Sequence, residues 1–287
     1  GEWAIKAPNQ DEIDSLIKGY EKGLHEDSQK AALALVRKYP DFVLGWKILG
    51  AVQRQLGKMS EASESFSKVL SLDPDDSESC SNLGLILEEL GRIEEAEEIH
   101  LRAIKIRPSD PTNYHNLAIT LKNAGRTEDC LDAYRQAINV RPSDFITHFR
   151  LGMVLSDLGR FSLALESLKR SQRLNTSHAP TYLGLGVVYQ NLGDPKRAAA
   201  AYQKAIDLKP DFAEAFSNMG VLSEDKKDLD TAKNYFQRAV QINPDHPEAR
   251  YNLGRLYYKS NDYGKAAQEF ELTNAKYSKH YLIRCLY

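Results

Sequence analysis

The stretch APTYLGLGVVYQNLGDPKRAAAAYQKAIDLKP, residues 179–210, decides the fold. It holds two helix-forming segments separated by LGDP and closed by Lys209-Pro210. Its GLGVVY segment has the look of a glycine-rich phosphate loop, which needs a strand before it and glycines placed in a turn. Gly184 and Gly186 instead fall inside the first helical segment, and no third glycine follows at that spacing. The glycines are therefore read as helix-packing residues.

A step of 34 residues carries this pattern along the chain. Prolines fall at 40, 74, 108, 142, 210 and 244, and glycines at 50, 84, 152, 186, 220 and 254, with Ala118 in the one gap. The same step links Ala62, Ala96, Cys130, Ala164, Ala198, Ala232 and Ala266, and links Leu49, Leu83, Leu117, Leu151, Leu185, Met219 and Leu253. A fixed period over seven copies is the signature of a solenoid. Within a copy, apolar residues recur at helical spacing, as in Phe216, Met219 and Gly220, then Ala232, Tyr235, Phe236 and Ala239. The small column lets the two helices of a hairpin approach, and Phe66, Tyr134, Tyr202, Phe236 and Phe270 are expected to fill the gap to the next copy.

The punctuation follows the same register. Gly57, Gly91, Gly125, Gly159 and Gly193 stand where the first helix must stop, a position suited to left-handed backbone. Asp41, Asp75, Ser109, Ser143, Ser177, Asp211 and Asp245 follow the proline column and are expected to cap the next helix. Glu78, Glu214 and Glu248, three residues on, would complete capping boxes. Pro111, Pro180 and Pro247 suit a first helical turn.

These columns (aromatic, Leu-Gly, aromatic, Ala, aromatic, Ala, Pro) resemble the tetratricopeptide repeat (TPR) family. The resemblance implies an all-α fold, a right-handed α-solenoid (superhelix) of 34-residue helix-turn-helix repeats. Seven repeats are expected at 43–76, 77–110, 111–144, 145–178, 179–212, 213–246 and 247–279. Departures are Gln53 and Ser223 for a large apolar residue, Lys227 and Asn261 for the turn glycine, and Thr176 and Ser278 for the proline. Residues 9–42 read as a divergent helical pair acting as a cap, and 1–8 as a leader or tag remnant. HYLIRCLY, residues 280–287, reads as the start of a further helix that breaks off.

Composition narrows the function. The 287 residues are 42% hydrophobic and 27% charged, with a formal net charge of −2. That balance gives no electrostatic case for nucleic acid or an anionic membrane. No apolar run reaches the roughly 18–20 residues that span a bilayer. Three cysteines, Cys80, Cys130 and Cys285, lack C-x-x-C spacing and point to a reducing, cytoplasmic setting. The seven histidines are scattered over different columns without metal-ligand spacing, so neither a metal, a cofactor nor catalysis is expected. The acidic run EELGRIEEAEE, residues 88–98, reads as a solvated face or an acidic docking patch. Residues 1–110 hold 21 acidic and 14 basic residues, whereas 111–179 carry a net +3 and 180–287 a net +2.

Function is expected on the first helices, which line the inner side of such stacks. Two residues before the glycine column stand Ile48, Asn82, Asn116, Arg150, Gly184, Asn218 and Asn252. An asparagine offers both a donor and an acceptor, matching an extended peptide backbone. The run resembles the asparagine ladder in the TPR superhelix of O-GlcNAc transferases, which implies peptide binding. Arg150 and Gly184 interrupt it amid apolar Phe149, Met153, Leu183 and Val187, with Ile119 and Val221 beyond. Two readings stand there: packing between helices, or an apolar ledge with a dip at Gly184 and Arg150 pairing with a ligand carboxylate or phosphate. His115 is a further contact candidate, while His148 reads as a core residue. A carboxylate clamp is disfavoured by Ala51, Thr112 and Asn116 at positions where it needs other residues.

The leading expectation is a non-catalytic scaffold binding an extended peptide or a partner helix. LIKGYEKG and the segment YPDFVLGWKILGAVQRQLGK resemble TPR arms that precede transferase domains, and YSKHYLIRCLY resembles a junction before 2-oxoglutarate/Fe(II) oxygenase-like domains. Those resemblances imply a substrate-recognition arm of a larger enzyme. Self-assembly through the C-terminal helix is the third reading.

Overall fold

The computed structural model describes residues 7–23 and 25–274, all of whose regular structure is helical. The final segment expected to begin a new helix, and Cys285 with it, lies outside the described residues. The chain divides into two compact units, residues 1–143 and 144–287. The first contains α1 (Gln10–Glu21), α2 (His25–Lys38), α3 (Val43–Gln55), α4 (Met59–Leu72), α5 (Ser77–Glu89), α6 (Ile93–Ile106), α7 (Pro111–Asn123) and α8 (Thr127–Val140). The second contains α9 (Phe145–Asp157), α10 (Phe161–Leu174), α11 (Ala179–Asn191), α12 (Pro195–Leu208), α13 (Ala213–Asp225), α14 (Leu229–Ile242), α15 (Pro247–Lys259) and α16 (Tyr263–Asn274).

Within each unit, helices pair as antiparallel hairpins and each second helix packs on the next hairpin's first helix, as α4 does on α5 and α12 on α13. First helices of consecutive repeats also touch: α5 meets α7 in one unit, and α9 meets α11 and α11 meets α13 in the other. Consecutive second helices do not pair to that degree. The first helices therefore line the inner side of each stack.

The hairpins close on a notch. A Cβ placed on Gly186 would lie 2.3 Å from the Tyr202 ring, and one on Gly220 2.6 Å from that of Phe236. The aromatic column thus seats first against the glycine of its own repeat. Its far side then reaches the next repeat, where Phe66 shares a cluster with Cys80 and Leu83. Ala62, Ala96, Cys130, Ala164, Ala198 and Ala232 are fully buried, leaving no room for a larger side chain between the paired helices.

From the α3–α4 hairpin onward, the turn inside each hairpin is a Schellman motif. The Gly57 N–H donates to the Arg54 carbonyl (3.0 Å) and that of Lys58 to Gln53 (2.8 Å). Gly57, Gly91, Gly125, Gly159 and Gly193 have φ between 70 and 76°. Lys227 and Asn261 hold the same turn at φ 62°. Left-handed backbone costs an L-residue roughly 1–2 kcal/mol, partly offset by the entropy glycine loses on folding. Lys227→Gly is therefore expected to raise stability by about 0.5–1 kcal/mol, read as a shift in urea midpoint without a change in m-value.

The caps lie one residue later than the sequence suggests. Asp76, Asp110 and Asp144 cap α5, α7 and α9 through side-chain acceptors, while Phe42, His178 and Phe212 occupy the cap positions of α3, α11 and α13 without such a bond. The residues after the proline column belong to the preceding turn instead. Asn175 Oδ1 accepts the Ser177 N–H (2.9 Å), and Asn243 Oδ1 accepts that of Asp245 (3.1 Å). Glu78, Glu214 and Glu248 consequently sit at the second helical position, one short of a capping box. A capping box does form at Asn9 and Glu12 of α1.

Candidate functional site

In the 1–143 unit the ladder column begins inside the core, because Ile48 is buried among Leu16, Val36 and Val52. Asn82 is half-buried on α5 and lines a cleft of about 600 Å³. Asn116, at the equivalent place on α7, is 9% exposed. Its backbone carbonyl accepts from Thr120 Oγ1 (3.1 Å), but its side-chain amide has no partner among the described residues. That amide is not among the sealed, unsatisfied atoms of the unit, so it opens toward solvent. His115 is half-buried with its ring 6.0 Å from that of Tyr134 on its own hairpin, making it part of the packing.

The cleft beside Asn82 has charged walls. Lys47 Nζ lies 2.8 Å from both Asp76 and Glu78. Burial would push the Asp76 carboxyl up, yet the Lys47 ammonium and the Ser79 N–H outweigh it and hold Asp76 below its ordinary value. Two helical turns further along α3, Arg54 pairs with Glu89 at 3.0 Å. These pairs cross from one repeat to the next.

In the 144–287 unit the expected dip at Gly184 is not there. Gly184 is buried, and a Cβ added to it would meet Met153 Sδ at 2.8 Å and Leu168 at 3.2 Å. The missing side chain makes room for the neighbouring helices, not for a ligand. Leu183 and Val187 are half-buried and pack against the cluster of Ala198, Tyr202 and Leu222. Phe149 stacks edge-on against His178 at 5.0 Å, and burial lowers the His178 pKa. Arg150 is exposed and makes no hydrogen bond or ion pair among the described residues. Asn218 is half-buried, as is Asn252, whose Oδ1 accepts from Arg255 at 3.3 Å. Arg255 and Lys259 both hold Glu224, at 2.6 and 3.0 Å.

His100 takes the place of an aromatic under Gly84 and is fully buried, with neither ring nitrogen hydrogen-bonded. Glu88 stands 3.4 Å from its Nε2 and accepts from Thr120 Oγ1. A histidine in the aromatic column at 66, 134, 202, 236 and 270 is the signal that marks this position in the sequence. Among the described residues no group of three or more His, Cys, Asp or Glu is placed to hold a metal ion. No described helix is long and apolar enough to cross a membrane.

Family profiles described as tetratricopeptide repeat match residues 20–77 and 115–179, 76–143, 179–212 and 225–281. The chain belongs to the tetratricopeptide repeat family. No curated protein sequence matches this TPR chain. Among solved structures, a tetratricopeptide repeat protein from Parabacteroides merdae superposes with a TM-score of 0.70 at 16% identity, over 84% of this chain and 96% of that one. A chain of the APC/C Cut9–Hcn1 hetero-tetramer gives 0.63 at 18% identity over 88% of this chain. The match covers 49% of that chain, so this TPR protein spans about half its length. YrrB, described as a TPR protein with an unusual peptide-binding site, gives 0.51 at 24% identity over 69% of this chain and 99% of its own. At these identities the likeness is one of fold. The repeats themselves support a protein-interaction scaffold, the usual role of this family.

Proposed function

We propose that the first-helix faces bind extended peptides, with ladder asparagines bonding the peptide backbone. The observation that carries this is the uncommitted amide pair of Asn82 and Asn116 on the touching helices α5 and α7. A partly buried amide without a partner has lost some hydration and regains it through a ligand's N–H and C=O groups. Asn218 and Asn252 supply the same groups in the other unit, although Asn252 must share its oxygen with Arg255. No catalytic role is assigned to any of these residues. Placement in the cytoplasm rests on cysteine usage alone.

Each amide contributes one or two bonds of about 0.5–1.5 kcal/mol net. Asn82→Ala with Asn116→Ala is therefore expected to weaken binding of a selected peptide roughly tenfold or more, by fluorescence anisotropy on a chain whose melting curve is unchanged. Unaltered affinity would remove the ladder. Arg150, unpaired and exposed, is the anchor for an acidic ligand group in the second unit. Its replacement by alanine is expected to lower affinity for acidic peptides about fivefold, with neutral peptides unaffected.

A further inference from the structure

We propose that the cleft between α13 and α15, in the 144–287 unit, holds an acidic group of a bound peptide, a carboxylate or a phosphate. This adds a second anionic anchor to the peptide-groove reading and rests on that reading. The cleft offers about 610 Å³, with Lys227, Arg255 and Lys259 facing Glu224 and Asp225, and Val221 and Leu229 beside them. Asn218, Val221 and Asp225 stand at i, i+3 and i+7 on α13, as do Asn252, Arg255 and Lys259 on α15. The cleft therefore continues the helical stripes that carry the two asparagines.

The internal bonds decide which charges remain available. One carboxylate serves two cations, since Glu224 accepts from Arg255 Nη2 at 2.6 Å and from Lys259 Nζ at 3.0 Å. Arg255 shares the same Nη2 with Asn252 Oδ1 at 3.3 Å. Its Nε is sealed from solvent without an acceptor, whereas its Nη1 is open and unbonded among the described residues. Lys259 makes its bond to Glu224 and no other among the described residues, and its side chain is 49% exposed. Asp225 is exposed at the end of α13, where water and salt screen it. An entering anion thus meets Arg255 Nη1, the Lys259 ammonium and Lys227 against one screened carboxylate.

The second observation is one of backbone. Lys227 holds φ 62° at a turn where Gly57, Gly91, Gly125, Gly159 and Gly193 stand in the other repeats. An L-residue there accepts strain that glycine avoids, and retained strain clusters at functional positions. Asn261, in the other such turn, has a use for its side chain, which accepts from the Tyr263 hydroxyl at 2.8 Å. The Lys227 ammonium has no partner among the described residues, so no bond within the unit offsets its strain. A ligand anion in the cleft does.

The test uses the whole chain and a fluorescein-labelled peptide selected for binding, with glutamine, glutamate or phosphoserine placed at each position in turn. Anisotropy is read at 50 and 300 mM NaCl. One position is expected where glutamate binds about fivefold more tightly than glutamine, with a smaller gain at the higher salt. A further gain with phosphoserine there assigns the cleft to phosphate, and no further gain assigns it to carboxylate. Lys227→Gly installs the ordinary turn residue, so the chain folds and its urea midpoint rises. It is expected to cut the acidic preference about threefold and to leave glutamine-peptide affinity unchanged. Weaker binding by a more stable chain is a result that a purely structural lysine does not give. A preference that survives both Lys227→Gly and Lys259→Gln overturns the cleft. If Arg150→Ala then removes it, the groove reading stands with the charge held at Arg150. Equal binding of all three side chains at every position also overturns the cleft, and the groove reading stands if Asn218→Ala with Asn252→Ala weakens that binding. If no peptide can be selected, both fall together.

Discussion

Tyr202→Ala is expected to lower the free energy of unfolding by about 3–5 kcal/mol, the range for removing a large buried ring. The ring is fully buried and shares a cluster with Ala198 and Leu222. It fills the notch at Gly186, and its hydroxyl donates to Gln190 Oε1 at 2.9 Å. Removing it leaves a cavity between α11 and α12 and strips the Gln190 side chain of a partner. Nearest-neighbour coupling in a repeat array predicts where the damage appears. Amide exchange should accelerate first in α11, α12 and α13, ahead of α15 and α16. The reverse experiment is Gly186→Ala, which overpacks the same notch at a cost of about 1–3 kcal/mol. Ala118 stands in the glycine column sixteen residues before Tyr134, so a methyl group and a ring do share one repeat of this chain. Combined with Tyr202→Leu, the Gly186→Ala cost should shrink only in part, because Leu168 in the equivalent place still lies 2.7 Å from a Cβ on Gly152, against 2.3 Å for the Tyr202 ring at Gly186. Strict additivity in that cycle would show that notch and ring are independent.

The notch explains why so much of the fold is legible in the sequence. A column that tolerates only Gly or Ala, set against an aromatic sixteen residues later, is a volume constraint, and a volume constraint recurs with the period. Gly57 and its equivalents are equally readable, because left-handed backbone selects glycine until Lys227 and Asn261 accept the strain. The caps were less so. Asp75 and Asp76 are both good caps by type, and only the turn bond from the Asp75 N–H to Asp73 shows which one belongs to the turn. Gly184 misleads for a similar reason, since a residue lacking a side chain says nothing of which neighbour takes its space. The division after Ser143 has no counterpart in the period, which Pro142, Gly152 and Ala164 continue without a break. Asn82 and Asn116 were legible as a pair, but the charged cleft was not. Asp73, Asp75 and Asp110 come from two turns and Glu78 from the start of α5, all of which look like ordinary solvated surface until they line one cleft.

His100→Phe is expected to stabilise the chain by about 1–3 kcal/mol at pH 7, the cost of the unsatisfied buried nitrogens it removes. Phenylalanine fits the column by direct analogy, since Phe66 fills the corresponding notch at Gly50. The pH dependence makes the prediction sharper. Burial lowers the His100 pKa from 6.5 to about 4. Above pH 6.5 the ring is neutral in both folded and unfolded chains and contributes no slope. Between 6.5 and 4 the unfolded chain takes up a proton that the folded one refuses, so stability falls as pH falls. The full shift corresponds to roughly 3 kcal/mol. Glu88 works in the opposite direction. Burial raises its carboxyl above the ordinary 4.5, against the Thr120 hydrogen bond, so the folded chain binds this proton first and gains stability on acidification. Once protonated, Glu88 has a hydroxyl to offer the Nε2 that lies 3.4 Å away. The acid loss from His100 is therefore partly recovered in the native chain. In the His100→Phe variant only the Glu88 contribution remains, so the local slope between pH 6.5 and 4.5 should vanish or change sign. Urea titrations of both chains at half-unit intervals would measure this. A variant that keeps the parental slope would place the acid sensitivity elsewhere, and one less stable at pH 7 would mean that the Gly84 notch rejects a six-membered ring.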